Sequence, residues 1–227
     1  SYPVHIGPGL LEKAGELIAG STGSRTCALI TDTTVEKLYA AVVCRSLQEA
    51  GFRVCLHAFP AGEQSKNLGT FGGMLEFLAE NKLTRSDFVV ALGGGVTGDM
   101  AGFAAAVYQR GVDYIQMPTT FLAASDSSVG GKTAIDLAAG KNLAGAFHQP
   151  KMVICDTDTF RTLPPDAFAG GMAETLKHGL IADGDFYRFL MTGDVRTHMD
   201  EVVRRNVEIK AAVVGEDERE HGKRKLL

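Results

Sequence analysis

Three phrases between residues 93 and 150 carry the residue types that handle phosphate: GGGVTGD (93–99), PTTFLAASDSSVGGKTA (118–134) and GKNLAGAFHQP (140–150). Glycines let backbone amides approach an anion, while the hydroxyls, lysines and carboxylates beside them address the edges of a ligand. That density predicts an enzyme with phosphorylated ligands. GGGVTGD follows the apolar run DFVVAL and opens a helical pattern, so its glycine turn and the helix N-terminus would face a pyrophosphate. Its spacing is not G-x-G-x-x-G, and a glycine run after a strand is often only a tight turn. Asp99 is a poor neighbour for phosphate and is expected to touch an amide or a ribose hydroxyl. The second phrase has too few apolar residues for an ordinary core element. It is not a Walker A loop either, because Asp126 stands where that motif requires glycine. The third adds Lys141 and Asn142.

Weaker signals surround these. FPAGEQSKN (59–67) reads as a surface turn, with Glu63 and Lys66 as solvated charges. Asp32 closes the first clear strand, where it either accepts from a ribose or caps the helix starting near Val35; by itself, capping is the better reading. AETLKHG (173–179) sets Glu174, Lys177 and His178 on one helical face. A Glu/His pair at i, i+4 can ligate a metal, but such pairs are more often surface contacts, and no second histidine lies at a chelating interval.

The elements that must position these groups alternate. CALI (27–30), VCLHAF (54–59), DFVVALG (87–93), DYIQMP (113–118) and MVICD (152–156) read as strands, nearly continuous in hydrophobics, as parallel strands covered on both faces are. Helical patterns at 35–50, 67–82 and 98–108 separate them, which predicts a doubly wound α/β layer. After Pro164-Pro165 every pattern is helical, so a domain of residues 1–165 is expected, followed by a helical one at 166–227. The chain stops at Leu227 within a charged, helical-looking stretch and without a capping residue, which raises the expectation of further sequence downstream.

Composition sets the bounds. The 227 residues are 45% hydrophobic with a formal net charge of -4, which speaks against a nucleic-acid or anionic-membrane surface and requires a local basic cluster for an anionic substrate. Cys27, Cys55 and Cys155 sit in apolar runs and read as buried free thiols; with Cys44 they form no C-x-x-C pair. Neither a signal peptide nor an apolar run long enough to span a bilayer is visible, and a cytoplasmic protein is expected.

Together with TLPPDAFAGGMAETLKHG (162–179) and EDEREHGKRKLL (216–227), the three phrases make the chain, from about Asp32 onward, resemble the 3-dehydroquinate synthase family of sugar-phosphate cyclases. The resemblance implies a Rossmann-like NAD-binding α/β domain followed by part of a helical domain that carries zinc (or cobalt) and most substrate contacts. It implies NAD along Asp32, Glu63, Lys66, Gly94, Gly95, Val96, Asp99, Thr119, Thr120, Lys141, Thr162 and Leu163. Asp126, Lys132 and Asn142 would face substrate and cofactor, while Lys177, Lys210 and Arg224 would hold the carboxylate and hydroxyls of a sugar phosphate. Arg110 would serve a neighbouring subunit, which implies a homodimer. The implied reaction converts 3-deoxy-D-arabino-heptulosonate 7-phosphate to 3-dehydroquinate and phosphate, a carbon–oxygen lyase step of the shikimate pathway with NAD as a catalyst.

Three departures qualify it. Thr34 stands where many members have asparagine. Ala167 replaces a usual glutamate, so a cofactor-side or hinge contact is lost. Of three zinc ligands only Glu174 is present, the other two being histidines expected beyond Leu227; the residue at His178 varies in the family and is not a ligand there. The rival readings are an inactive NAD-binding fragment or pseudoenzyme, another sugar-phosphate cyclase, and the glycerol-dehydrogenase-like enzymes, which lack the second and third phrases.

Overall fold

The apolar runs pair side by side. In the computed structural model, which describes residues 1–226, the elements in chain order begin with β1 (Val4–Gly7), α1 (Ala14–Ala19) and β2 (Thr26–Asp32). A single turn, α2 (Thr33–Val35), continues through π-helical Glu36–Ala40 into α3 (Ala41–Glu49). Then come β3 (Arg53–Phe59), α4 (Leu68–Glu80), β4 (Phe88–Gly93), α5 (Gly95–Val107), β5 (Asp113–Pro118), β6 (Lys132–Leu137), β7 (Gly140–Phe147) and β8 (Met152–Asp156). The helices α6 (Pro165–Ala182), α7 (Gly184–Thr192) and α8 (Met199–Glu216) follow. The final phrase is therefore not one helix: α8 stops at Glu216 and a turn leads to a short 3-10 segment, Lys223–Leu226. Leu227 lies outside the described residues.

Six strands form one parallel sheet in the order β1-β8-β5-β4-β2-β3. Val89 to Leu92 are all buried because successive side chains enter different cores. Val90, Leu92, Leu29 and Ile154 pack with α1 and α3 on one face, and Val89, Ala91, Ala28 and Ile30 with α4 and α5 on the other. The chain leaves β2 for β3, then returns to the opposite side of β2 with β4. That reversal opens a crevice at the carboxyl ends of β2 and β4, where open α/β sheets bind ligands. A third apolar cluster, including Phe121, Phe160, Phe186 and Val202, ties α6–α8 to the sheet.

Two expectations are corrected. PTTFLAASDSSVGGKTA does bury a core element: Phe121, Ala123, Ala124 and Ser125 are at most 2% exposed, because a π-helical turn directs them inward. GKNLAGAF forms no separate loop: it is strand β7, paired antiparallel with β6, and carries Lys141 and Asn142 on it. Gly145 serves that pairing, since a Cβ there would lie 2.0 Å from the Thr133 carbonyl oxygen. Cys27 and Cys155 are buried as expected, and burial pushes the Cys27 thiol up to about 12. Among the described residues no helix is long and apolar enough to cross a membrane.

Candidate active site

The crevice is a cleft of about 420 Å³ whose lining includes Asp32, Gly94, Gly95, Val96, Thr119, Thr120, Thr162 and Leu163. Strand β4 delivers Gly94 and Gly95 to the N-terminus of the 13-residue helix α5, and no side chain caps that end. Its amides and dipole suit an anion. Strand β5 delivers Thr119, whose buried hydroxyl has no hydrogen-bond partner in the protein. Gly94 and Gly95 at this uncapped helix end leave room for backbone amides to meet an anion, so the residues present fit the pyrophosphate of a dinucleotide. Asp32 caps α2 by accepting from the Thr34 and Val35 amides at 2.9 and 3.1 Å. Thr34 and Ala167, two of the departures, both line the cleft.

Four residues expected on the cofactor, Glu63, Lys66, Asp99 and Lys141, do not line the cleft. Glu63 and Lys141 form an exposed ion pair at 2.9 Å. Lys66 is not a solvated charge but 5% exposed, its ammonium donating to Asp99 and to the Asn142 side-chain oxygen, both at 2.6 Å. Asp99 thus has Lys66 as its partner within the protein. Burial raises its carboxyl above the ordinary range more than the adjacent Lys66 lowers it.

Beside the cleft lies a second cavity of about 510 Å³, lined among others by Asp99, Asp126, Ser127, Lys132, Asn142, Lys210 and Glu220. The hairpin β6–β7 positions Lys132 and Asn142, the π-turn after β5 positions Asp126, and α8 positions Lys210. Lys210 donates to Asp126 at 2.5 Å. Burial works to raise the Asp126 carboxyl, but the Lys210 ammonium and hydrogen bond carry it below the usual range, so it is ionised. Gly95 divides the two cavities: it lines the cleft, and a Cβ on it would lie 3.2 Å from Ser127 Oγ on the cavity side.

Helix α6 adds a cation-seeking group. Asp126, Glu174 and His178 place one donor atom each within 4.8 Å of one another. His178, set aside in the sequence, is fully buried; its Nδ1 meets Asn206 Oδ1 at 2.8 Å, while Nε2 has no partner. The Asn206 amide group donates to Thr175, Ser125 and Val202, so its oxygen accepts from Nδ1–H and Nε2 presents a lone pair. That lone pair faces Glu174 Oε1 at 3.6 Å and Asp126 Oδ1 at 3.9 Å. Burial lowers the imidazole below its ordinary range and keeps it neutral. Two carboxylates and a neutral imidazole fixed from behind suit a divalent cation, although Lys177 and Lys210 now pair with the carboxylates. The i, i+4 spacing of Glu174 and His178 was the sequence signal for this.

The remaining predicted residues sit apart from the cavity. Arg224 is 1% exposed, its guanidinium donating to the carbonyl oxygens of Glu218 and Gly130. It shapes the wall and does not face the cavity. Gly130 adopts φ +97, and a Cβ there would meet Arg224 Nη2 at 2.5 Å. Arg110 is exposed, with φ 64, on the turn after α5. Ser127 and Glu220 were not singled out in the sequence; the one hint was their place inside the quoted phrases.

A glycine-capped cleft at the carboxyl ends of a parallel sheet, with a polar cavity beside it, defines a Rossmann-type α/β protein. Family comparison makes this specific. Residues 56–170 match the N-terminal model of 3-dehydroquinate synthase and residues 171–227 the C-terminal model, so the chain belongs to the 3-dehydroquinate synthase family. It is 49% identical over 232 residues to a 3-dehydroquinate synthase of Cereibacter sphaeroides and 48% over 235 residues to that of Caulobacter vibrioides, covering 100% of this chain in each case. The chain spans 63% of the length of these relatives. Among solved structures, 2-deoxy-scyllo-inosose synthase complexed with carbaglucose-6-phosphate, NAD+ and Co2+ superposes with TM-score 0.87 at 28% identity, over 98% of this chain and 63% of that one. A 2-epi-5-epi-valiolone synthase from Streptomyces hygroscopicus with NAD+ and Zn2+ bound gives 0.83 at 26%, with the same coverage. Glycerol dehydrogenase from Schizosaccharomyces pombe shares the fold at TM-score 0.64 and 18% identity, over 79% of this chain and 44% of that one.

Proposed function

We propose that these 227 residues form the NAD-binding and much of the substrate-binding part of a 3-dehydroquinate synthase, which releases phosphate from 3-deoxy-D-arabino-heptulosonate 7-phosphate. The observation that carries this reading is the partition at Gly95. A nicotinamide bound in the cleft would stand next to a ligand held by the cavity lysines, Lys132 and Lys210. Residues 1–165 and 166–227 are taken as two domains, with the reacting groups between them. Gly94 and Gly95 would hold the pyrophosphate, Thr119 and Thr120 would line the cofactor's cleft, and Asp32 would be within reach of a ribose. Lys132 and Asn142 bind the phosphoryl group, while Lys210, held by ionised Asp126, and Lys177 orient the hydroxyls and carboxylate. Glu174 would be one ligand of a divalent ion such as Zn2+ or Co2+, with His178 and Asp126 as the neighbouring donor atoms in this chain. When bound, NAD supplies a reversible hydride acceptor and the ion a Lewis acid. Exposed Arg110 is offered to a second copy in a homodimer, and the protein works in the cytoplasm.

Phosphate release tests the reading. The protein carrying this chain is expected to release phosphate from the heptulosonate phosphate and not from glucose 6-phosphate; the reverse preference would favour a 2-deoxy-scyllo-inosose-type cyclase. For the metal, Co2+ titration followed by visible absorption should show binding that Glu174→Gln abolishes and His178→Ala weakens by about tenfold or more. Undiminished affinity in His178→Ala would remove His178 from the set.

A further inference from the structure

The polar cavity is lined by three carboxylates, Asp99, Asp126 and Glu220, against two lysines, Lys132 and Lys210. That is an unfavourable balance for an anionic ligand. Each carboxylate is matched to one lysine: Asp99 to Lys66, Asp126 to Lys210 and Glu220 to Lys132. The first two lysines are 6% exposed at the side chain and held from several sides. The third pair differs. Lys132 and Glu220 meet at 2.6 Å with 48% and 33% of their side chains exposed, and they join elements far apart in sequence.

Glu220 is also held in place by its turn. It adopts φ 59, a left-handed conformation that glutamate seldom takes. The turn is pinned around it: Asp217 accepts from the amides of His221, Gly222 and Arg224, and the Arg224 guanidinium ties the Glu218 carbonyl to Gly130. The result is a carboxylate presented at the cavity mouth to the lysine that an incoming oxyanion needs.

We infer that Glu220 is a built-in counter-anion, which occupies Lys132 until the phosphoryl group of the ligand displaces it. This rests on the proposed phosphate role of Lys132. The exchange swaps one oxyanion for another on the same ammonium. The device discriminates against small anions, because a ligand with only a phosphate must compete with Glu220 while a full sugar phosphate has the remaining cavity contacts to offset that cost.

Calorimetric titration of the protein with inorganic phosphate, and in parallel with acetate, tests this. Glu220→Gln keeps the shape and removes the charge; phosphate affinity is expected to rise at least about fivefold, while Lys132→Met abolishes it. Melting temperatures establish that both variants are folded. Unchanged or weaker phosphate binding in Glu220→Gln, with binding lost in Lys132→Met, would overturn the counter-anion role and leave Lys132 as the phosphate ligand. Phosphate binding that survives Lys132→Met would show that the anion sits elsewhere, and both readings would fall. A Lys132-dependent preference for acetate would assign the exchange to a carboxylate and overturn the phosphoryl assignment.

Discussion

Gly95→Val is expected to abolish NAD binding, weakening it by about 100-fold or more, which is roughly 2.8 kcal/mol. Gly95 is the first residue of α5 and stands between cleft and cavity, where a ligand must approach backbone. The two branches of valine would stand in the path of the pyrophosphate and nicotinamide. The fold itself should tolerate the change, since an added Cβ would press only on the Ser127 hydroxyl at 3.2 Å, a side chain that can turn away. Calorimetry with NAD, alongside a thermal melt, separates loss of the site from loss of the fold. Gly95→Ala should fall between. A folded Gly95→Val protein with undiminished affinity would place the cofactor elsewhere.

Lys66→Met should cost about 3–5 kcal/mol of stability. Lys66 is the common partner of Asp99 and Asn142, with side-chain exposures of 6% for the lysine and 18% for the aspartate. Its backbone oxygen also accepts from the Asp136 amide at 2.8 Å, which ties the turn before α4 to the β6–β7 hairpin. Removing the ammonium leaves a buried carboxylate without its cation, and that penalty exceeds the worth of the pair itself. The companion variant is diagnostic. Lys66→Met combined with Asp99→Asn should recover much of the loss, because neither partner is then charged. Urea unfolding of the single and double variants measures this; equal destabilisation in both would mean that the packing of the lysine stem, and not the ion pair, carries the effect.

Much of this architecture is legible in the chain. The runs DYIQMP and MVICD coincide with β5 and β8 because strands buried on both faces leave no alternation to misread. GGGVTGD was readable as strand, turn and helix for the same reason, and Asp32 as a cap because its offset from Val35 is local. What the chain conceals depends on distance in space. Lys66 and Glu63 share one turn, yet one is buried by a hairpin some seventy residues away and the other is solvated. The glycines of the second and third phrases suggested anion contact, whereas Gly130 accommodates Arg224 and Gly145 accommodates Thr133. His178 offered its spacing, but only the placement of Asn206 on α8 shows which nitrogen is free. Glu220 reaches Lys132 through a left-handed turn that no propensity would assign to glutamate.

The central claim is that a cofactor in the cleft serves the neighbouring cavity repeatedly without being consumed. The most direct measurement is phosphate released per NAD supplied, with the heptulosonate phosphate in excess, divalent metal present and NAD substoichiometric to substrate. The expected result is many phosphates per NAD, 3-dehydroquinate in equal amount to phosphate, and no lasting absorbance from reduced nicotinamide. Phosphate release that stops when NAD is exhausted, with reduced cofactor accumulating, would instead show a dehydrogenase and contradict the claim.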